Sequence, residues 1–207
     1  MAPVTDLPIL ILAAGGSTRM RGRDKLMEEV GGQPLLARQA RMARAVTAGP
    51  VIVALPRAPH PRHAALAGLG VTALEVAQAA EGMNASLRAA FAAVPDTAPA
   101  AMLLLGDLPA LQPSDLAAVF AAVDLHSDIL AWRGATEDNR PGHPVVVARA
   151  LFPEFLKLTG DGGGRAALAA AGDRVCLVSL PGQRARTDLD TPEDWQAWHA
   201  GNRDGMS

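Results

Sequence analysis

Apolar positions fall into short runs, and longer alanine-rich stretches between them repeat their apolar residues at helical spacing. The runs predict strands over residues 9–13, 51–55, 71–76, 101–105, 128–132, 145–148 and 175–180. The stretches between predict helices over 34–46, 62–67, 85–94, 113–123, 150–158, 164–171 and 192–199. Pro34, Pro113 and Pro192 stand where proline suits a first helical turn, with Ser114 and Thr191 as expected caps. Strands alternating with helices predict βαβ units, so the expected fold class is α/β, a Rossmann-like three-layer domain with a mostly parallel, mixed sheet. In such sheets ligands gather at the carboxyl ends of the strands. "GATEDNRPG" (residues 134–142) reads as a loop, not a boundary, so residues 1–207 are expected to form one domain with its core over about 7–198.

Composition narrows the partners. A formal net charge of −2 on 207 residues gives no reason to expect a nucleic-acid or membrane-surface binder. Cys176 is the one cysteine in the sequence, which excludes an internal disulfide and a thiolate metal cluster, and "RVCLVSL" makes it a strand core residue. The amino terminus has no basic run before its short apolar stretch, so the expected location is cytoplasmic.

The chemistry concentrates after the first strand. Leu12, Ala13, Ala14, Gly15, Gly16 and Ser17 form a small-residue turn, where the backbone can approach a ligand and successive N–H groups can face one anion. Arg19 and Lys25 follow with a fork and a point charge suited to phosphate oxygens. The turn matches neither G-x-x-x-x-G-K-[ST] nor G-x-G-x-x-G, and "GDGGGR" at residues 160–165 also misses the second pattern. Taken alone, it also reads, as the lesser alternative, as a glycine turn before a solvated basic loop, and Arg21 and Arg23 are left to solvent.

Asp107 follows the apolar run of "MLLLGDLPAL" on the ligand side of the sheet, where a carboxylate can hold Mg²⁺. In "RTDLDTPEDW", Asp188 and Asp190 lie on one side of a short extended segment, and either can complete that site. The same segment is also a favourable helix start. "EGMNASL" is a polar loop opening a helix, and "NRPGHPVVV" a loop feeding a strand in which Gly142 and Pro144 pin His143. No zinc spacing and no G-x-S-x-G elbow is present.

Taken in order, these residues resemble the MobA/MocA-like nucleotidyltransferases, which make dinucleotide forms of molybdenum cofactor on a nucleotide-diphospho-sugar transferase fold. The family's L-A-[AG]-G-x-S-x-R-M-G is seen in residues 12–20 with Lys25, its G-D-[MLT]-P aspartate in Asp107, its G-H-P in Gly142-His143-Pro144, and its closing D-[IL]-D-T-P-[ED]-[DE] in residues 188–194. The resemblance implies that the loop through Gly16, with Gly82, cradles a nucleoside triphosphate. Arg19 and Lys25 would balance its phosphates, and Asp107 with Asp190 would hold Mg²⁺, for which Mn²⁺ can substitute. Asn84, Ser86, Gly142, His143 and Pro144 would line the site of a pterin-type acceptor phosphate. A chaperone of molybdoenzyme maturation is the family's expected protein partner.

In that family "LAGG" goes with GTP and "[LT]AAG" with CTP, so Ala14 favours CTP. Arg21 departs from the usual glycine, and the Arg19-to-Lys25 spacing equals that of many guanylyltransferases. Three alternatives therefore stand beside a cytidylyltransferase: a guanylyltransferase, a cytidylyltransferase for another phosphate acceptor, and a non-catalytic cofactor-delivery protein.

Overall fold

The computed structural model describes residues 5–201. Its strands are β1 (Ile9–Leu12), β2 (Glu29–Val30), β3 (Gln33–Pro34), β4 (Val51–Leu55), β5 (Thr72–Glu75), β6 (Ala100–Leu105), β7 (Ala131–Ala135), β8 (Pro141–Ala148) and β9 (Val175–Ser179). Its α-helices are α1 (Leu35–Val46), α2 (Pro61–Ala65), α3 (Met83–Ala92), α4 (Pro113–Ala121), α5 (Phe152–Leu156), α6 (Arg165–Ala169) and α7 (Pro192–Gly201). Seven strands form one sheet in the order β5-β4-β1-β6-β8-β7-β9, and β2 pairs with β3 in a separate ribbon. Within the sheet β8 runs against both its neighbours, and the other paired strands are parallel, so the sheet is mixed and mostly parallel.

Burial on both faces explains the apolar runs. In β1, Ile9 and Ile11 pack into one cluster with Leu35, Leu36 and Ala40 of α1, while Leu10 and Leu12 join another with Leu87 and Phe91 of α3. The first cluster also takes Leu116 of α4 and Trp195 of α7; the second takes Phe155 of α5 and Ala167 of α6. A strand that alternates between two apolar layers must be apolar throughout, which is the signature of a parallel sheet covered on both sides. Trp132 and Trp195 are both core residues, each 1% exposed. No helix among the described residues is long and apolar enough to cross a membrane.

Four expectations shift. The strand expected at 128–132 is β7, three residues later, because Asp124 and Ser127 close a side-chain-stapled turn that holds residues 124–129 out of the sheet. β8 begins at Pro141, so Gly142, His143 and Pro144 lie within a strand instead of a loop before it. Prolines there read as loop, yet the pairing with β7 is already irregular between Arg133 and Ala135, where a missing donor costs little. Pro34 precedes its helix and pairs with Glu29, and the turn between, Gly31-Gly32, takes positive φ values of 62° and 75°. Thr191 caps α7 as expected by accepting from Asp194 N, whereas Ser114 sits inside α4 and Asp115 accepts from Gln112 N at its start.

Gly142 shows why this strand start is closely specified. A Cβ there would lie 2.2 Å from the Ala185 carbonyl oxygen, the same oxygen that accepts from His143 N at 2.8 Å. Gly142→Ala is therefore expected to push residue 185 away and lower stability by about 1–3 kcal/mol. A urea-unfolding series on the two proteins checks it, and equal midpoints would contradict the packing argument.

Candidate active site

The turn after β1 leaves the sheet between β4 and β6, tied by Ala13 N to Ala54 O at 2.9 Å and by Gly106 N to Leu12 O at 3.1 Å. Gly15 and Gly16 adopt backbone angles open to any residue. A Cβ at Gly15 would meet nothing within 4 Å, and one at Gly16 only the Thr18 methyl at 3.9 Å. Neither conformation nor packing within the chain asks for glycine here. Both residues line a cleft of about 270 Å³, so the missing side chains leave room for something outside the chain.

The turn is held from behind by Arg62 of α2, which is 1% exposed. Its guanidinium donates to Ala13 O at 2.6 Å, Gly15 O at 2.8 Å and Ser17 Oγ at 3.2 Å, and to both Asp24 carboxylate oxygens at 2.8 and 2.6 Å. Because a trans peptide points its C=O and the following N–H in opposite directions, fixing two carbonyls on Arg62 turns the N–H groups of Ala14 and Gly16 away from it. That is how a loop becomes an anion-facing array. Burial works to raise the Asp24 pKa, but the Arg62 hydrogen bonds and charge outweigh it and hold the carboxyl below its ordinary value. Ser17 sits in the left-handed region at φ 50° and its hydroxyl faces Asp24, Lys25 N and Arg62, so it braces the turn.

Lys25 opens a short 3₁₀ turn and reaches across to two carboxylates, one after β6 and one at the start of α7. Its Nζ donates to Asp107 Oδ2 at 2.5 Å and to Asp190 Oδ1 at 2.7 Å. Arg19 takes the other Asp190 oxygen at 2.7 Å, and Arg21 pairs with Glu193 at 2.8 Å, which ties the basic loop to the start of α7. Burial alone would lower the Lys25 pKa; Asp107 and Asp190 reverse this and raise it above the ordinary value, so the ammonium stays charged. Gly106 lets Asp107 come this close, since a Cβ there would lie 3.0 Å from Leu12 O.

Asp107 Oδ1 is buried and has no hydrogen-bond partner. A carboxylate oxygen held inside a site without a donor fits a divalent cation. Among the described residues no group of three or more His, Cys, Asp or Glu side chains is placed to hold a metal. Two carboxylates still suit Mg²⁺, which draws its remaining ligands from phosphates and water. Asp188 is more exposed than Asp190 and forms no ion pair with Lys25; burial first, then Asp190 and Asp107, raise its pKa, with Lys25 opposing them. The geometry thus joins Asp190 to Asp107.

The remaining expected residues divide. Leu12, Ala13, Ala14, Gly82 and Ser86 line the cleft with Gly15, Gly16, Lys25 and Asp107. Gly82 has φ 96° and a Cβ would fall 2.8 Å from Asp161 Cβ, so this glycine is required by the fold itself. His143 lines a second pocket of about 530 Å³ that shares Leu12, Met83 and Leu105 with the first. Asn84 is 2% exposed and donates to Thr159 O at 2.6 Å, while Gly142 and Pro144 are buried in β8. Sequence reasoning missed Arg62 and Asp24. Asp24 lies among the basic residues next to Lys25, but nothing in "PHPRH" marks Arg62 as buried.

Two outcomes follow. Gly15→Ala is expected to keep wild-type thermal stability while weakening nucleotide binding, read by titration calorimetry; a stability loss would assign that glycine to the fold. Arg62→Ala breaks a largely buried ion pair and is expected to lower stability by about 3 kcal/mol, with Arg62→Lys restoring part of it in chemical unfolding.

Comparisons with known proteins bear on the fold and the family. Rv0371c of Mycobacterium tuberculosis H37Rv shares 29% identity and a TM-score of 0.79, over 95% of this chain and 98% of that one. A structure of the same protein in complex with manganese matches with a TM-score of 0.74 at 26% identity, over 93% of this chain and 97% of that one. A nucleotidyl transferase from Methanothermobacter thermautotroptrophicus, 19% identical with a TM-score of 0.76 over 97% and 99% of the two chains, shares the fold. Among curated proteins, the bifunctional protein GlmU of Alkalilimnicola ehrlichii is 34% identical over 68% of this chain and 31% of its own length. The phosphoenolpyruvate guanylyltransferase of Sanguibacter keddieii is 34% identical over 57% of this chain and 42% of its own length, so the chain spans less than half of either curated relative. The family model described as a MobA-like NTP transferase domain matches residues 9–175, and the chain belongs to that family.

Proposed function

We propose that the protein is a Mg²⁺-dependent nucleotidyltransferase that moves CMP from CTP to the phosphate of a molybdopterin-type cofactor and releases pyrophosphate. The observation that carries this reading is Lys25 lying 2.5 Å from Asp107 and 2.7 Å from Asp190 beside a glycine turn with room for a ligand. The turn through Gly16 binds the base and triphosphate, with Ala14 against the base. Asp107 and Asp190 would hold the divalent cation, which supplies charge neutralisation on the α-phosphate and the departing pyrophosphate. The manganese complex of a 26% identical relative supports a divalent ion in this role.

An oxygen of the acceptor phosphate forms the new bond to the α-phosphorus. The bond from that phosphorus to the bridging oxygen breaks, and its electrons leave with pyrophosphate. Lys25 and Arg19 place positive charge where negative charge spreads over the transferring and leaving groups, so positioning and electrostatics carry the rate. Lys25 is suited to that task because its raised pKa keeps it charged at neutral pH. The acceptor phosphate is already ionised, so no side chain need remove a proton.

A GTP-using enzyme is the second reading, favoured by the Arg19-to-Lys25 spacing and by the guanylyltransferase relative. Pyrophosphate release with molybdenum cofactor, Mg²⁺ and each of CTP, GTP, ATP and UTP separates the two, with CTP expected to lead. Metal-dependent nucleotide binding without release would point to another phosphate acceptor, and loss of such binding would favour a delivery protein. Asp107→Ala is expected to cut turnover by about 10²–10³-fold while its circular dichroism stays that of the wild type. Wild-type turnover in that variant would remove Asp107 from the reaction.

A further inference from the structure

Asp107 is carried by residues 106–112, the segment between β6 and α4, which belongs to no helix or strand. Leu108, Pro109 and Leu111 within it are buried, so its backbone polar groups must find partners inside the protein. The segment supplies little itself: among the described residues its one internal backbone hydrogen bond, Leu111 N to Leu108 O, is long at 3.4 Å. Two consecutive side chains of α1 supply more. Gln39 Nε2 donates to Leu108 O at 2.7 Å, and Arg38 Nη2 donates to Leu111 O at 2.9 Å. On the other side, Gly106 N donates to Leu12 O at 3.1 Å. Asp107 therefore sits between a tie at residue 106 and a tie at residue 108, and Pro109 disfavours helical backbone at Leu108.

Gln39 is a costly way to make that tie. It is 0% exposed, and its Oε1 is buried with no hydrogen-bond partner, as is Nη1 of Arg38. A carboxamide placed in the apolar layer of Leu35, Leu36, Ala40 and Leu108 loses free energy for each polar atom left unpaired. Folding thus gains one hydrogen bond from Gln39 and gives back an orphaned oxygen, and a residue that breaks the local rule without a net gain in stability points to a task elsewhere. The same helix also seats the lysine of the site. Leu35 N, at its start, donates to Glu28 O at 2.8 Å, and Leu26, inside the 3₁₀ turn Lys25–Met27, packs into one cluster with Leu35 and Leu36. One helix thus holds the backbone on both sides of the contact between Lys25 and Asp107.

We propose that Gln39 is a positioning residue, which fixes the Leu108 carbonyl so that the Asp107 carboxylate, with its partnerless Oδ1, faces the divalent cation of the reaction. This rests on the nucleotidyl-transfer reading and adds to it a residue outside the cleft that acts through Asp107. Gln39 lines neither pocket, so it touches no substrate itself. Its leverage comes from sequence: Leu108 follows Asp107 directly, and release of the Leu108 carbonyl frees the backbone from which the carboxylate is aimed. Mg²⁺ demands near-octahedral geometry at short distances, so a small change of aim is enough to lose a ligand. Partners that orient a metal ligand from outside are worth about 10–100-fold in metal affinity.

Gln39→Met keeps the length of the side chain and removes the donor. Its affinity for Mn²⁺, followed by water-proton relaxation on the full chain with CTP or GTP present, is expected to fall about 10–100-fold. Its urea-unfolding midpoint is expected to stay near that of the wild type, because the lost hydrogen bond is offset by the lost orphan oxygen. Gln39→Leu repeats the measurement should Gln39→Met not fold. Gln39→Glu, whose buried carboxyl stays protonated at pH 6, offers an O–H to Leu108 O and is expected to recover part of the affinity. In a double variant with Asp107→Asn, Gln39→Met is expected to weaken Mn²⁺ no further than Asp107→Asn alone, since both act on one ligand. Unchanged Mn²⁺ affinity in Gln39→Met, or a loss that adds in full to that of Asp107→Asn, overturns the positioning role while wild-type metal binding leaves the nucleotidyl-transfer reading standing. No Mn²⁺ binding by the wild type with either nucleotide overturns both.

Discussion

A guanidinium buried beneath a loop is costly unless every donor finds an acceptor, and Arg62 meets that demand by collecting two backbone carbonyls, a hydroxyl and a carboxylate from the glycine turn and the segment after it. The rest of the nucleotide side depends on this. With the carbonyls of Ala13 and Gly15 drawn inward, the turn cannot relax into a hairpin that satisfies its own polar groups. Asp24, held by the same cation, caps the 3₁₀ turn by accepting from Leu26 N, and Lys25 thereby starts from a fixed backbone position. A flexible side chain with four methylenes reaches two carboxylates because its root does not move.

The charges of the centre come from three separated stretches, residues 19–25, Asp107 and Asp190. Each arrives by a different structural route. Lys25 rides on the braced loop, Asp107 on the glycine that lets β6 run past β1, and Asp190 on the cap of α7, where Asp194 accepts from Asp190 N and Thr191 N. That cap explains why "DLDTPED" looked like both a metal segment and a helix start: it is a helix start that positions a carboxylate. Asp188, two residues away, remains outside the ion-pair network, so spacing on an extended segment did not by itself separate the two.

The sheet was legible because parallel strands covered on both faces leave unbroken apolar runs, and β1, β4 and β6 fall where such runs lie. β7 was misplaced because its buried residues Gly134 and Ala135 carry no apolar signal; they are small so that β8 can approach, with a Cβ at Gly134 falling 2.6 Å from His143 O. The basic loop and Asp107 were legible from chemistry placed after a strand. Arg62 was not, since burial of an arginine is decided by partners far along the chain.

The reversed strand has a consequence for how the two halves of the cleft are assembled. Every other strand of the main sheet brings its last residues to the ligand edge, but β8 brings its first, with Val145 opposite Leu103 and the residues before it running on toward the end of β6. The side of the cleft that holds the glycine turn is therefore built from strand ends whose positions are locked by parallel pairing. The turn between β7 and β8 closes on itself through Thr136 and Arg140 and is tied to residues 182–183. Residues 136–140 line neither of the two pockets, so a change of length at that tip should combine with changes in the glycine turn nearly additively, and the reversed strand lets the sheet vary one loop while the strand ends that frame the cleft stay in register.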